Sequence, residues 1–184
     1  RCPCHAFFNR NMEDVIIGVP EHRFHGFHCK CLQDKVINRH NRLYTVLKTC
    51  VTESFPLAAM GTEVVLYNAL HPENHHKCDI HMLVNGSTYI VDFAVCNSVA
   101  SSRILRGAGA ALKTAEDAKR RLYQDSLVGV EGIFVPFIID LSGNLGSAAT
   151  ALLDKLQSEA SFDSTFKARF KAKISSTLAI INSE

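Results

Sequence analysis

The dipeptide Asn85-Gly86 constrains this chain most. It separates two alternating apolar runs, Lys77-Cys78-Asp79-Ile80-His81-Met82-Leu83-Val84 and Ser87-Thr88-Tyr89-Ile90-Val91-Asp92-Phe93-Ala94-Val95-Cys96. Asn-Gly suits a two-residue type I′ turn because both central residues need positive φ. The hairpin so predicted has a fixed register: Val84 faces Ser87, and counting outward places Asp79 opposite Asp92. Cross-strand partners share a face, with Cβ atoms roughly 4.5–5.5 Å apart. Two carboxylates held ~5 Å apart repel by about 3 kcal/mol at an effective dielectric of ~20, which calls for a divalent cation or a shared proton. Ile80, Met82 and Val84 share one face with Tyr89, Val91 and Phe93, while Leu83 and Ile90 accompany the aspartates. Neither face is plainly polar, so the acids are expected at the margin of a core. On pattern alone, exposed strand-end carboxylates read equally well, and a β-bulge would shift the register by one.

A chain of 184 residues suits one domain with one hydrophobic core. The net charge of +2 makes no case for nucleic acid by itself. The basic residues are uneven, however. Arg39, Arg42, Arg103, Arg106, Lys113, Lys119, Arg120 and Arg121 flank the hairpin, and Lys155, Lys167, Arg169, Lys171 and Lys173 follow. Solvated helix faces account for most of them, and a phosphate-tracking surface is the second reading. No apolar run is long enough to cross a bilayer, and no signal-peptide pattern is present. The chain opens inside what reads as a cysteine motif, so it is expected to be a piece of something larger.

Of the seven cysteines, four (Cys2, Cys4, Cys29, Cys31) cluster with histidines near the start, and Cys50, Cys78 and Cys96 lie in apolar segments. That distribution points to a reducing compartment, one metal cluster and three core thiols. Zinc takes four thiolate or imidazole ligands, commonly as two close pairs. The candidate sets are Cys2, Cys4, His25 and Cys29, or the same with Cys31, with His5, His22 and His28 as substitutes. This gives a lead-in of residues 1–33 and a main domain of residues 34–184.

Apolar spacings of three and four predict a helix over residues 34–52 with Asp34 as N-cap. Arg39, His40 and Asn41 fall mainly on its polar side. Glu63 to Asn68 reads as a short strand, and His71 to Lys77 as a polar loop before the hairpin. Ala100 to Gln124 reads as a helix on which Lys119 and Tyr123 share a face. Gly132 to Asp140 reads as a strand buried on both faces, although Pro136 counts against a fully paired position. Gly143 and Gly146 make the turn out, and helices are expected over residues 147–158 and 164–182. The order describes an α/β layer with a short mixed sheet.

Taken together these residues resemble the restriction-like endonuclease of site-specific non-LTR retrotransposons. Four features occur in the family's order: the knuckle Cys2, Cys4, His25 and Cys29; the triplet Arg39-His40-Asn41; Asp79, twelve residues, then Asp92, like the family's Pro-Asp-x(12–14)-Asp; and Lys119-x-x-x-Tyr123. Cys78 stands where the family usually has proline, and Leu122 where it often has a second lysine. The family is similar to the PD-(D/E)XK nucleases, whose lysine follows two residues after the second acid. Here that position is Ala94, so the resemblance implies that the amine has moved to the helix as Lys119, with Lys113 as the fallback.

The resemblance implies a restriction-endonuclease-like core behind a zinc knuckle. It further implies a Mg²⁺-dependent (or Mn²⁺-dependent) DNA endonuclease of a retrotransposon polyprotein, acting in the nucleus beside its reverse transcriptase and away from membranes. Asp79 and Asp92 would hold the metal with a backbone carbonyl. Lys119 would orient or deprotonate water, and Tyr123 would bind phosphate. Arg39, His40, Lys113 and Arg120 would contact DNA, and Zn²⁺ would occupy the knuckle. The alternative is a catalytically weak nucleic-acid-binding zinc module of the same fold.

Overall fold

A computed structural model of the chain describes residues 33–67, 75–96, 108–160 and 163–183. The elements are α1 (Gln33–Ser54), β1 (Ala59–Tyr67), β2 (His75–Val84), β3 (Ser87–Cys96), α2 (Ala108–Tyr123), β4 (Ile133–Asp140), α3 (Ser147–Glu159) and α4 (Phe166–Ser183). The strands form one sheet in the order β1-β2-β3-β4, antiparallel except for the parallel β3–β4 pair. This is an α/β architecture with a mixed sheet flanked by helices. The predicted knuckle, with Cys2, Cys4, His25, Cys29 and Cys31, lies outside the described residues.

The turn chemistry holds. Asn85 and Gly86 have φ of 46° and 81°, and the β2–β3 ladder runs from Val84↔Ser87 to Ile80↔Val91. Ile80, Met82, Val84, Tyr89, Val91 and Phe93 line one face as the alternation requires. They pack, with Val135, Phe137 and Ile139 of β4, against Leu43 and Leu47 of α1, Leu152, Leu153 and Leu156 of α3, and Phe166 and Phe170 of α4. The opposite face meets α2: Ile90 packs with Tyr123, Leu66 and Cys78, and Ile138 and Cys96 pack with Leu112. Helices cover both faces, which is why the hairpin carries no plainly polar side. The β3–α2–β4 connection supplies the crossover that a parallel pair requires.

Several boundaries differ from the sequence reading. β1 begins at Ala59, not Glu63, and β2 begins at His75, where a loop was expected. The backbones of His75, His76 and Lys77 pair with Tyr67, Leu66 and Val65, and ladder pairing outweighs their polar side chains. α1 is described from Gln33, so the expected cap Asp34 already lies within the helix. α2 is described only from Ala108. Pro136 sits on β4, the edge strand among the described residues, where its missing N–H removes no ladder bond from a second described neighbour. After β4, Gly143 turns with φ 86°, and Asp140 accepts hydrogen bonds from the backbone N–H groups of Ser142 and Asn144.

One irregularity matters for function. The β1–β2 ladder pairs Thr62 with Ile80 and Val64 with Cys78 but skips Glu63 and Asp79 between them. Glu63 has φ 52°, a left-handed conformation that costs an L-residue about 1–2 kcal/mol. The strand faces exchange across this break. Met60 and Ile80 pack on the side of α1, α3 and α4, whereas Val64, Leu66 and Cys78 pack on the side of α2.

Candidate functional site

Asp92 lies on β3, the inner strand between β2 and β4, and is only 4% exposed. α2 brings it two partners one helical turn apart. Tyr123 Oη is 2.7 Å from Asp92 Oδ1, and Lys119 Nζ is 2.6 Å from Oδ2. The lysine contact is a close ion pair that engages Oδ2, while Tyr123 engages Oδ1. The single Tyr123 hydroxyl proton is shared between Asp92 and the Lys77 carbonyl on β2. Burial, then the hydrogen bond to Asp92, then the charges of Asp92 and Asp79 push the Tyr123 pKa far up. The phenol therefore stays neutral and acts as a donor.

Asp79 occupies the skipped rung of β2. Its Oδ2 accepts the Phe93 N–H at 2.6 Å, standing in for a ladder bond where β2 and β3 part. His40 of α1 reaches the same spot. Its Nε2 is 3.2 Å from Asp79 Oδ2 and 3.0 Å from the Phe93 carbonyl oxygen, and its Nδ1 faces Asn41 Oδ1 at 3.2 Å. The hydrogen bond to Asp79 raises the His40 pKa against the opposing effect of burial.

The expected plain cross-strand pair of acids needs correcting. The ladder ends one step short, at Ile80↔Val91, and the two carboxylates find partners on different helices. The break at Glu63 and Asp79 is the physical reason. Their fields nonetheless overlap: both raise the Tyr123 pKa, and both add to the burial that pushes the Cys78 thiol up to about 11.

Lys119 is the amine that reaches the acids. The fallback Lys113 does not: it is 76% exposed and lies 3.6 Å from Asp117, four residues on. Arg39 was expected to track a DNA backbone from a wet face. It is 5% exposed, and desolvation lowers its pKa. Arg120 is exposed on α2, next to Lys119. The basic residues of the last helix are largely neutralised, with Lys167 paired to Asp154, Arg169 to Asp163 and Glu53, and Lys173 to Glu53.

No family model matches the chain, and no curated protein matches it. The functional reading therefore rests on geometry and on motif order. Two features escaped the sequence reading. His40 was read as a DNA contact rather than a neighbour of Asp79, and no local signal links positions 39 residues apart. The backbone of Phe93 meets Asp79 through its N–H and His40 through its carbonyl, contacts that no side-chain pattern marks.

The donor set suits a hard divalent cation. Mg²⁺ takes one or two carboxylates and completes its shell with other oxygens. Asp79 and Asp92 could supply carboxylates and the Phe93 carbonyl a neutral oxygen, although no three His, Cys, Asp or Glu side chains converge as a metal site among the described residues and Asp92 Oδ2 is engaged by the Lys119 ammonium.

Proposed function

We propose that this chain is a metal-dependent DNA endonuclease with a restriction-like, PD-(D/E)XK-type core. On this reading it is the nuclease portion of a non-LTR retrotransposon polyprotein that cuts target DNA to prime reverse transcription in the nucleus. The observation that carries the reading is Lys119 Nζ at 2.6 Å from Asp92 Oδ2. A nuclease of this type needs an amine beside its second acid. The usual strand position holds Ala94, and α2 supplies the amine instead.

Asp79, Asp92 and the Phe93 carbonyl are the groups that would hold Mg²⁺ or Mn²⁺. When bound, such an ion supplies an acidified water and neutralises charge on the scissile phosphate. Asp92 holds the Lys119 ammonium at the acids, where it orients the attacking water and screens charge building on the phosphate. Tyr123 fixes the Asp92 carboxylate by donating to it and excludes water from behind it. Arg120, exposed and adjacent in sequence to Lys119, would meet the DNA backbone. A zinc knuckle in the lead-in would add grip on the target, and the reverse transcriptase of the same polyprotein would take up the cut end.

Nicking of supercoiled plasmid tests the reading. The wild-type chain should nick in Mg²⁺ and not in EDTA. Asp79→Asn, Asp92→Asn and Lys119→Met should each lower the rate by at least ~10²-fold, the scale of losing one preorganised electrostatic contact. Nicking that persists unchanged in Asp92→Asn would sink the proposal.

A further inference from the structure

We propose that His40 is a positioning residue of the site: its Nε2–H sets the Asp79 carboxylate against β3, and its effect on cleavage runs through Asp79 rather than through DNA. The inference rests on the nuclease reading above and deepens it by naming the group that holds the first acid.

β2 and β3 part beyond Ile80↔Val91, and two side chains brace the fork. Each ties an acid on one strand to a backbone carbonyl on the other. Tyr123, from α2, shares its proton between Asp92 on β3 and the Lys77 carbonyl on β2. His40, from α1, does the converse from the opposite face of the sheet. Its Nε2 lies 3.2 Å from Asp79 Oδ2 on β2 and 3.0 Å from the Phe93 carbonyl oxygen on β3. A backbone carbonyl can only accept, so Nε2 carries the proton and donates. A protonated ring nitrogen has no lone pair to lend a cation. What His40 gives the site is the placement of an oxygen.

Asp79 needs such a brace, because it sits on a rung that the β1–β2 ladder skips. Its Oδ2 also accepts the Phe93 N–H at 2.6 Å. Asp79, His40 and both polar groups of Phe93 thus close a ring of contacts. Two of them fall on Oδ2, so the carboxylate cannot turn without breaking both. The His40 ring is held in its turn. Nδ1 faces Asn41 Oδ1 at 3.2 Å, and the ring meets Phe93 edge-on at 5.8 Å and Tyr44 at 5.7 Å. Leu43 and Leu47, three and seven residues on, are fully buried and anchor that face of α1. A group whose own orientation is locked by packing and hydrogen bonds can hold a second one in place.

Steady-state nicking of supercoiled plasmid by the full chain in Mg²⁺ tests the role, because a DNA contact and a positioning residue move different constants. His40→Asn carries an amide that stops short of the Nε2 position. It should lower kcat about 10–100-fold, the scale of losing a partner that orients a functional carboxylate, and leave KM for DNA unchanged. His40→Gln carries its amide N–H to the Nε2 position and should recover most of the rate. It loses the ring as well, so it controls for packing. In an Asp79→Asn background His40→Asn should cost nothing further, since residues that act as a unit are not additive. Amide exchange at Phe93, followed by NMR, should be faster in His40→Asn than in His40→Gln. A raised KM with kcat intact would make His40 a DNA contact and overturn the proposal. So would an unchanged kcat in His40→Asn, or its full loss repeated on top of Asp79→Asn. Each of these leaves the nuclease reading standing. A wild-type chain that does not nick would remove that reading and the positioning role with it.

Discussion

Tyr123 concentrates much of the site's chemistry in one proton. Its hydroxyl sits between Asp92 Oδ1 and the Lys77 carbonyl, joining β3, β2 and α2. Tyr123→Phe removes the donor shared by Asp92 Oδ1 and the Lys77 carbonyl and is expected to cost about 1–3 kcal/mol in urea unfolding. It should also slow nicking, since Asp92 loses the donor that holds it. Because burial and the two acids push the Tyr123 pKa far up, the phenol keeps its proton across the working range. The rate profile should therefore show no alkaline limb that Tyr123→Phe removes. The acids stood out in the sequence because a two-residue turn is a local rule, and the shared face of Lys119 and Tyr123 because a helical repeat is another; that Lys119 reaches Asp92 came only from the resemblance. Arg39 was misread because spacing on a helix says which residues share a face, not which faces later get covered.

Two junctions between elements carry further expectations. Gly146 leads into α3 without a side-chain cap of its own, and Glu116 reaches across from α2 to cap that end. Its carboxylate accepts from Ser147 Oγ at 2.6 Å and from the Ala148 N–H at 2.9 Å. Glu116→Ala should cost about 1–2 kcal/mol, the scale of a lost cap. Gly146→Ala should destabilise too, because a Cβ there would lie 2.2 Å from Glu116 Oε1; equal unfolding midpoints for Gly146→Ala and wild type would contradict that packing. Neither partner could be read from sequence, since the cap comes from 31 residues upstream. The second junction ties α1 to α4. Asp163 accepts from Ser54 and Thr165 and pairs with Arg169 at 2.7 Å. These bonds, Ser54 foremost, lower the Asp163 pKa from 3.8 to about 2. A depressed carboxylate stabilises the fold above its unfolded pKa and loses that contribution as pH falls through the folded one. Asp163→Asn should therefore flatten the stability curve between about pH 4 and pH 2. Parallel curves for the two proteins would exclude the clasp.

Across the whole molecule, the sheet is sealed on both sides, and the thiols report on that seal. Cys50 and Cys78 are fully buried, and Cys96 is nearly so. With its pKa pushed up to about 11, Cys78 should resist iodoacetamide at pH 8 until the chain unfolds. Peptide mapping that finds Cys78 rapidly alkylated in the folded protein would show that α2 does not cover that face. The layering was legible because the order of helix, hairpin, helix and apolar strand leaves few arrangements. The face exchange at Glu63 was not, because it depends on a single left-handed residue that glycine would have announced and glutamate does not. The parallel β3–β4 pair closes only after α2 has crossed over, and such distant pairings form late in folding. A chain emerging from the ribosome thus carries its acids well before the amine is docked beside them. On the proposed nuclease reading, any power to break a phosphodiester would arrive only with the completed sheet.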